Sequence, residues 1–476
     1  MSENRNIVKN TFFLFLTNFL SMFSGFIITI LIARNSLPID YGNFTFAQSY
    51  ANLLLIVADF GLSTLIVVDI ARNKDKLNEY LPHVYGFKLF LSILFLVSNC
   101  IIINFMHYDK NVVYLVYLTG AAYMFNSLFA FYCNVFRGLE MMQYETYLNI
   151  LLQSLLIILC LVALYMFKNI MYVAIAYLLA RLAAVIASII IFKKKNITSA
   201  FTIELDKWNR LFRRAMPFGF HQLFSFIYFQ IDALLISQFK GNESVGYYQS
   251  ATRLIIALMI VTDTIMGVMM PVMSRYHDSK DKLKSMYDKC LKLMWIVSVF
   301  FAAETFLNSK QIIRILYKTK YDNAIPILMI LSFVVVLRFV GNVPAILLTS
   351  VDKQKVRFYI VVIGSIINVS FNLLLIPKYD YIGAAYASLI TNFILCVIHF
   401  YVVYKMDYKS IGINILKLIM FAAVIVVSDI AIKNYILSNI FIKGMIVLVI
   451  ACIACFALKI FSREELVNTY NEVKRK

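Results

Sequence analysis

The stretch IARNSLPIDYGNFTFAQSYANLLLIVAD (residues 32–59) decides the fold of this 476-residue chain, because a second copy of its pattern follows 204 residues later. The copy reads ISQFKGNESVGYYQSATRLIIALMIVTD (residues 236–263), and it aligns Gly42 with Gly246. In both copies a polar turn is followed by a long, mostly apolar run that ends on an aspartate. A pattern that recurs in this way indicates an internal repeat.

Apolar runs of about 20 residues, long enough to cross a bilayer, recur along the whole chain. The chain is 61% hydrophobic and 15% charged, whereas a soluble domain is about 45–50% apolar and about 25% charged. These features predict an all-α integral membrane protein with about fourteen transmembrane helices. The predicted spans are 11–33, 44–70, 86–106, 112–135, 144–166, 170–192, 215–239, 246–273, 287–307, 325–349, 357–376, 381–404, 414–432 and 436–458.

The repeat divides the first twelve predicted helices into two sets of six. A second match, at a similar offset, pairs residues 143–147 with residues 355–359. Because six is an even number, both sets begin on the same side of the membrane. We therefore predict an N-terminal six-helix lobe (1–200), a C-terminal six-helix lobe (205–404) related to it by a pseudo-two-fold axis along the membrane normal, and two extra helices with a cytoplasmic tail (405–476).

The formal net charge of +19 is the kind of value that nucleic-acid-binding proteins show. Here, however, the lysines and arginines are concentrated in alternate loops, which is the pattern that orients a multi-pass membrane protein. This bias predicts that both termini are cytoplasmic and that nucleic acid is not a partner. Clusters such as 193–195 and 210–214 are expected to face anionic lipid headgroups.

Cysteine and histidine give no sign of a metal or cofactor site. The seven cysteines lie in or beside apolar runs, and the five histidines are scattered without the spacing of metal ligands. No phosphate-binding glycine loop and no set of residues with catalytic spacing occurs in the sequence. We therefore predict no metal, no cofactor and no catalytic residues, and we do not expect an enzyme.

Asp232 and Arg253 lie in adjacent apolar runs, at similar distances from the polar turn 240–244 that joins them. The turn makes the two helices antiparallel neighbours, so the two side chains are expected to lie at the same depth in the membrane. Two interpretations stay open. The residues form an ion pair that joins the helices, or Arg253 presents its guanidinium to an anionic group, for which arginine is well shaped.

Arg181 and Arg338 lie near the middle of two predicted spans, where an unpaired charge is costly unless it meets water or a partner. Gly341 and Pro344 follow Arg338, and we expect them to break that helix and to let it line a cavity. Each arginine therefore either lines a central cavity that binds an anion or has a purely structural role.

Asp59 and Asp263 occupy matching places in the two repeats. Together with Asp232 they are candidates for ion coupling or gating, because a carboxylate in a low-dielectric environment exchanges protons readily. The alternative is that these acids are hydrogen-bonded or ion-paired and only hold helices together. Three other charged residues are expected to reach the membrane surface along their apolar stems: Lys88, Lys292 and Glu304.

An ordered series of motifs resembles one known family, the polysaccharide transporter family of the MATE-like MOP exporter superfamily, whose members include Wzx-type flippases of O-antigen and other lipid-linked oligosaccharides. The resemblance extends over the first twelve predicted spans. The motifs that carry it are Asp40-Tyr41-Gly42-Asn43-Phe44, Asp59-Phe60-Gly61-Leu62, Phe136-Arg137-Gly138-Leu139-Glu140, Pro217-Phe218-Gly219, Val245-Gly246-Tyr247-Tyr248 and Asn372-Leu373-Leu374-Leu375-Ile376-Pro377.

The resemblance implies a flippase that works by alternating access in the bacterial inner (cytoplasmic) membrane. Its substrate would be an undecaprenyl-pyrophosphate-linked oligosaccharide, meaning an O-antigen, capsule or exopolysaccharide unit, which moves from the inner to the outer leaflet. Cavity-facing bases would hold the pyrophosphate, here Arg253, Arg181 and Arg338, and the last two helices would hold the lipid tail. Polar residues on three of the spans suit contacts with sugars: Asn18, Gln48, Asn52, Gln222 and Tyr228.

Two other functions are compatible with parts of this pattern. One is an ion-coupled small-molecule or multidrug antiporter of the same superfamily, in which we would expect acids to dominate the cavity. The other is a membrane glycosyltransferase or polymerase, which would need a large outer loop, whereas the longest outer connection here is residues 308–324. We expect a monomer, with membrane lipids, polysaccharide polymerase and chain-length machinery as candidate partners.

Overall fold

A computed structural model describes residues 2–74, 77–197, 200–410, 412–435, 440–458 and 460. In the first part of the chain the helices are α1 (Ser2–Asn35), α2 (Pro38–Asp59), α3 (Leu62–Arg72), α4 (Leu77–Phe105), α5 (Lys110–Gly138), α6 (Met142–Val162), α7 (Ile170–Lys194) and α8 (Leu205–Lys240). They are followed by α9 (Asn242–Arg275), α10 (Lys280–Leu307), α11 (Ser309–Tyr317), α12 (Ile325–Ser350), α13 (Gln354–Lys405), α14 (Ile415–Tyr435) and α15 (Ile440–Ala457).

Within these ranges, eleven helices are long and apolar enough to cross a membrane, or twelve if α2 and α3, which are bent by 42°, form one span. Helix α13 contains 52 residues, about 78 Å at about 1.5 Å per residue, which is more than twice the thickness of a bilayer core of about 30 Å. Its two arms, together with the shorter apolar helix Ile442–Ala457, bring the number of spans close to the predicted fourteen. The prediction of an all-α, multi-pass membrane protein is confirmed.

The chain divides into two compact units, Met1–Gly246 and Tyr247–Lys476. In the first unit α5 packs on α7, α1 packs on α6, and α8 lies against α2 and α3. In the second unit α12 packs on both α10 and α13, and α14 packs on α10. The predicted lobes 1–200 and 205–404 follow the sequence repeat and not the compactness of the chain, so those boundaries stay a prediction.

A sharp turn of the backbone separates α2 from α3. Phe60 and Gly61 have φ angles of 39° and 80°, in the left-handed region. A Cβ atom at Gly61 would overlap the backbone nitrogen of Gly219 in α8. Glycine at this position therefore meets both a conformational and a steric requirement. The ring of Phe60 stacks on that of Phe212 with their centroids 4.9 Å apart, so the turn is held against α8.

The glycines that the repeat aligns contact each other in the first unit. A Cβ atom at Gly42 would overlap the carbonyl oxygen of Asn242, and one at Gly246 would overlap the carbonyl oxygen of Pro38. Both overlaps involve a residue four positions before the other glycine, so the contact is reciprocal. The Asn242 amide donates a hydrogen bond of 2.7 Å to Asn43 Oδ1 at the same place. The first turns of α2 and α9 therefore cross with almost no separation between their backbones.

Helix α13 is broken where the sequence predicted the end of one span and the start of the next. Asp380 has φ 56° and ψ −145°, and its carboxylate accepts a hydrogen bond of 2.6 Å from the backbone N–H of Tyr381. Pro377 lies just before the break, where its missing N–H weakens the helix. The two arms correspond to the predicted spans 357–376 and 381–404.

The predicted break in α12 is wrong. Helix α12 continues from Ile325 to Ser350, and Gly341 and Pro344 are both buried within it. A proline inside a membrane helix is tolerated when neighbouring groups satisfy the backbone that it frees. Here α12 is packed on α10 and α13, so the helix does not need to open.

Candidate functional site: charges within the membrane helices

Asp59 and Lys88 form a buried ion pair in the first unit. Lys88 Nζ lies 2.7 Å from Asp59 Oδ1 and donates a second hydrogen bond, of 2.9 Å, to the carbonyl oxygen of Ala58. The hydroxyl of Ser63 donates to the same carboxylate at 2.6 Å. Only 1% of Lys88 is exposed, so the expectation that it reaches the membrane surface is wrong. Its ammonium is drawn instead to the carboxylate and to the negative end of the α2 dipole.

The shift of 204 residues also relates Asp263 and Lys292 to this pair. In the second unit, however, Asp263 is exposed and has no hydrogen-bond or ion-pair partner among the described residues. Lys292 is half-buried and lines a cavity. Equivalent residues of the two repeats therefore lie in different environments: the carboxylate of Asp263 is accessible, whereas that of Asp59 is buried in an ion pair.

Arg181 lies in the interior of the first unit with two buried nitrogens that lack a hydrogen-bond partner among the described residues. These atoms are Nε and Nη1, and only 8% of the residue is exposed. Its guanidinium carbon lies 4.4 Å from the ring centroid of Tyr123 and 5.3 Å from that of Tyr177. The aromatic faces stabilise the charge, but they leave N–H donors that an anion would satisfy.

Arg253 and Arg338 lie in the second unit and are both half-buried. Arg253 resembles Arg181, because its Nε is buried without a hydrogen-bond partner among the described residues. Arg338 donates a hydrogen bond of 3.1 Å from Nε to the side chain of Asn392 on α13. Arg253 is therefore the better placed of the two to accept a further ligand at Nε.

Asp232 is buried in α8, with 8% of the residue exposed. It belongs to the first unit and Arg253 to the second, so their predicted pairing stays a prediction. The roles of Asp59, Asp232 and Asp263 in coupling or gating are likewise still predictions.

Polar amides lie along one face of α2. Gln48 and Asn52 are four residues apart, which places them on the same side of the helix. Both are half-buried, and neither makes a hydrogen bond to another described residue. Between them Ser49 donates a hydrogen bond of 3.1 Å to Gln230 of α8. The other predicted sugar contacts range from half-buried to exposed: Gln222, Tyr228 and Asn18.

A cavity of about 1080 Å³ lies within the second unit, between α10, α12, the second arm of α13 and the segment that leads into α14. Its wall is rich in aromatic side chains, and three lysines line it. One of them, Lys409, lies 3.8 Å from Asp407, which also pairs with Lys280 at 3.1 Å. The hydrogen bond from Lys280 and the charge of Lys409 hold the pKa of Asp407 below its usual range. The residues that line the cavity include Lys292, Trp295, Phe393, Phe400, Tyr401, Tyr404, Lys409, Ile413, Lys417 and Ile460.

The second unit contains another buried polar cluster, which was not predicted from the sequence. Lys443 Nζ lies 2.6 Å from Asp429 Oδ1 and donates a hydrogen bond of 2.8 Å to Asn308. Glu304 belongs to the same cluster, since Asn308 donates to it at 3.2 Å, and its Oε1 is buried. The expectation that Glu304 reaches the membrane surface is therefore wrong. The signal available in the sequence was the acid Asp429 within the apolar run of the first extra helix and the base Lys443 in the second.

In the part of the chain that the structure describes, no group of three His, Cys, Asp or Glu side chains is arranged to hold a metal ion. Asp59 and Asp429 form ion pairs with Lys88 and Lys443. Arg181 and Asp263 have no charged partner among the described residues.

The sequence of the chain matches two known protein families. The family described as "Polysaccharide biosynthesis protein" matches residues 7–277, and the MatE family matches residues 217–374. The chain is 22% identical to membrane protein MJ1068 of Methanocaldococcus jannaschii, over 99% of both chains. It is 21% identical to the capsular polysaccharide biosynthesis protein CapF of Staphylococcus aureus, over 83% of this chain and 98% of the relative.

The fold is similar to that of the lipid II flippase MurJ in its inward closed conformation, with a TM-score of 0.73 and 17% identity over 94% of this chain and 98% of the other. The family and its structural neighbours are transporters and flippases, which confirms the prediction that the chain is not an enzyme. Since the first family match covers more than half of the chain, this multi-pass membrane protein belongs to the polysaccharide biosynthesis protein family.

Proposed function

We propose that the chain moves a lipid-linked saccharide from the inner to the outer leaflet of the bacterial cytoplasmic membrane by alternating access. The substrate class is an undecaprenyl-pyrophosphate-linked oligosaccharide, meaning an O-antigen, capsule or exopolysaccharide unit. Support comes from the family match over residues 7–277 and from a fold similar to that of a lipid II flippase.

Arg181 provides the observation that carries this proposal. A guanidinium inside a membrane-spanning helix is costly unless its donors are satisfied, and two of its nitrogens have no partner among the described residues. The tyrosine faces at 4.4 and 5.3 Å orient the group without occupying its N–H donors. A pyrophosphate offers oxygens in the geometry that arginine binds best. Arg253 and Arg338 are the matching candidates in the second unit.

The remaining parts of the substrate have chemically suitable surfaces. The half-buried amides of Gln48 and Asn52 can exchange hydrogen bonds with sugar hydroxyls, since each amide both donates and accepts. The cavity of about 1080 Å³ in the second unit combines aromatic walls with lysines, which suits an apolar tail that carries an anionic head. Part of its wall comes from the segment that leads into the last two helices.

Asp263 is the stronger candidate for ion coupling. Asp59 is already neutralised by Lys88 at 2.7 Å, whereas Asp263 has no such partner among the described residues. An exposed carboxylate in a membrane-spanning helix can take up and release a cation.

The basic loops support cytoplasmic positions for both termini. A monomer that cooperates with a polysaccharide polymerase and chain-length machinery remains part of this proposal.

Complementation tests the function and the anion site together. In a host that lacks its own flippase, the intact chain should relieve the accumulation of lipid-linked oligosaccharide on the cytoplasmic leaflet. Arg181→Ala should lower export by about tenfold or more, because one charge-assisted hydrogen bond contributes about 1.5–3 kcal/mol. Export by Arg181→Lys should lie between that of the intact chain and that of Arg181→Ala, since lysine keeps the positive charge but cannot form the bidentate hydrogen bonds of a guanidinium.

Arg314→Ala is the matched control, because Arg314 of α11 is exposed and paired with Asp322 in the segment that follows this helix. It should retain full export at equal protein levels. Full export by a stably expressed Arg181→Ala, tested together with Arg253→Ala and Arg338→Ala, would remove the anion site from the proposal. Failure of the intact chain to complement, combined with altered drug sensitivity, would favour the antiporter.

A further inference from the structure

Two carboxylates are bound to one amide where the last two helices meet α10: Asn308 donates to the buried Asp429 and to the half-buried Glu304. Asp429 of α14 is 2% exposed and Lys443 of α15 is 3% exposed, and they form an ion pair of 2.6 Å. Asn308, at the end of α10, donates its amide to Asp429 at 3.1 Å and to Glu304 Oε2 at 3.2 Å. Glu304 Oε1 is buried and has no hydrogen-bond partner among the described residues.

The charges around this cluster do not balance when all of them are ionised. Asp429 and Lys443 neutralise each other, and Glu304 then adds a negative charge that meets an amide on one oxygen and nothing described on the other. Burying such a charge is costly. A proton on Oε1 removes the charge and the repulsion from Asp429.

The helices packed on α10 offer Glu304 no other counter-charge among the described side chains. Helix α12 carries one charged residue, Arg338, whose Nε is bound to Asn392. In α11, Lys310 is exposed and Arg314 pairs with Asp322. In α14 the other described charge is Lys417, which lines the cavity near the opposite end of that helix. The Lys433 side chain lies outside the described residues.

We propose that Glu304 is a proton-binding site that controls how firmly α14 and α15 dock on α10. The rest of the contact between these helices is apolar and centred on Phe421, Ile425 and Val447, so it does not respond to pH. Loss of the proton places a second negative charge beside Asp429 and weakens the attachment. The inference rests on this cluster alone and does not depend on the substrate proposed above.

Infrared spectroscopy of the purified chain in lipid bilayers tests the proton site. As pH rises from mildly acidic to mildly alkaline, the band of a protonated carboxyl group should disappear, and Glu304→Gln should lack this transition. Asp429→Asn should move the transition to lower pH, because it removes repulsion. Lys443→Met should move it to higher pH, because it leaves two carboxylates without their ammonium. Asp278→Asn, which changes an exposed carboxylate in the loop before α10, is the control and should leave the transition in place.

Amide hydrogen exchange of α14 and α15 tests the docking. After correction for the pH dependence of intrinsic exchange, protection should decrease with pH in the intact chain and stay constant in Glu304→Gln, which is nearly isosteric with the protonated acid. A carboxyl band that survives unchanged in Glu304→Gln would overturn the site. Shifts of the same sign in Asp429→Asn and Lys443→Met, or pH-independent protection in the intact chain, would also overturn the proposal.

Discussion

Charged side chains in the membrane helices are stabilised here in three different ways. Lys88 finds a carboxylate and a carbonyl oxygen, Arg181 finds two aromatic faces, and Asp263 stays exposed. The bilayer core offers no water to an isolated charge. Substitution of each of these residues should therefore have a different effect on the protein. The ion pair should contribute mainly to folding, and the other two residues mainly to function.

Removal of one member of the Asp59–Lys88 pair should destabilise the protein. Lys88→Met leaves a buried carboxylate without its counter-ion, which costs about 3–5 kcal/mol in comparable sites. The double change Asp59→Asn with Lys88→Met should recover much of this loss, because no buried charge remains. Thermal unfolding in detergent gives the measurement. If the double variant loses as much stability as the two single variants added together, the pair does not act as a unit.

The two repeat-related aspartates should differ in their effect on transport. Asp263→Asn should lower export and flatten its pH dependence while the amount of folded protein stays normal. Asp59→Asn should mainly reduce the amount of folded protein. Export measured across a range of pH, normalised to membrane protein content, distinguishes them. An unchanged pH profile in Asp263→Asn would argue that this residue has no part in coupling.

The sequence was sufficient to place these charges within membrane-spanning helices, but it was not sufficient to find their partners. Asp59 and Lys88 lie 29 residues apart on different helices, and only the rotation of α4 about its axis decides whether the lysine turns inward. Periodicity is uninformative there because hydrophobic residues surround the whole helix. For the same reason the Asp429–Lys443 pair was not predicted from two isolated charges.

At the level of elements, α2 and α9 cross with their backbones in direct contact. Gly42 and Gly246 have no side chain, and each lies over a carbonyl oxygen of the opposite helix. Small residues let membrane helices approach at backbone distance and gain van der Waals contact. Any Cβ atom forces the two helix ends apart.

Alanine at either glycine of this crossing should therefore lower the unfolding temperature and the yield of folded protein. Gly25→Ala is the matched control, because a Cβ atom at Gly25 in α1 meets nothing within 4 Å. In that helix alanine should be neutral or stabilising by about 0.5–1 kcal/mol. Unfolding of the three variants in the same detergent gives the comparison. Equal stability of all three would mean that the crossing can open without cost.

Breaks in helices were predictable only where a local conformation requires them. The end of one α13 arm was predicted because Pro377 and the polar residues after it interrupt an apolar run, and Asp380 adopts the positive φ that separates the arms. In α12 the same residue types did not break the helix, since Pro344 lies within a packed stretch. A proline weakens the helix in which it lies, and packing against neighbouring helices decides whether the helix breaks there.

At the level of the whole molecule, the basic loops predict one orientation. If both termini are cytoplasmic, a reporter that is active only in the cytoplasm should work when fused after residue 196. It should fail when fused after residue 241, in the next loop along the chain. A reporter that requires export should give the opposite pattern. Activity of the cytoplasmic reporter at both sites would contradict the predicted topology of α8.

The reciprocal glycine contact has a consequence for how the two copies of the repeat can diverge. Each glycine is part of the steric environment of the other, since Gly42 lies over Asn242 and Gly246 lies over Pro38. After a duplication, most positions of two copies are free to change separately. At this crossing a larger residue in one copy can be accepted only if the other copy moves with it, so the two segments must evolve as one site.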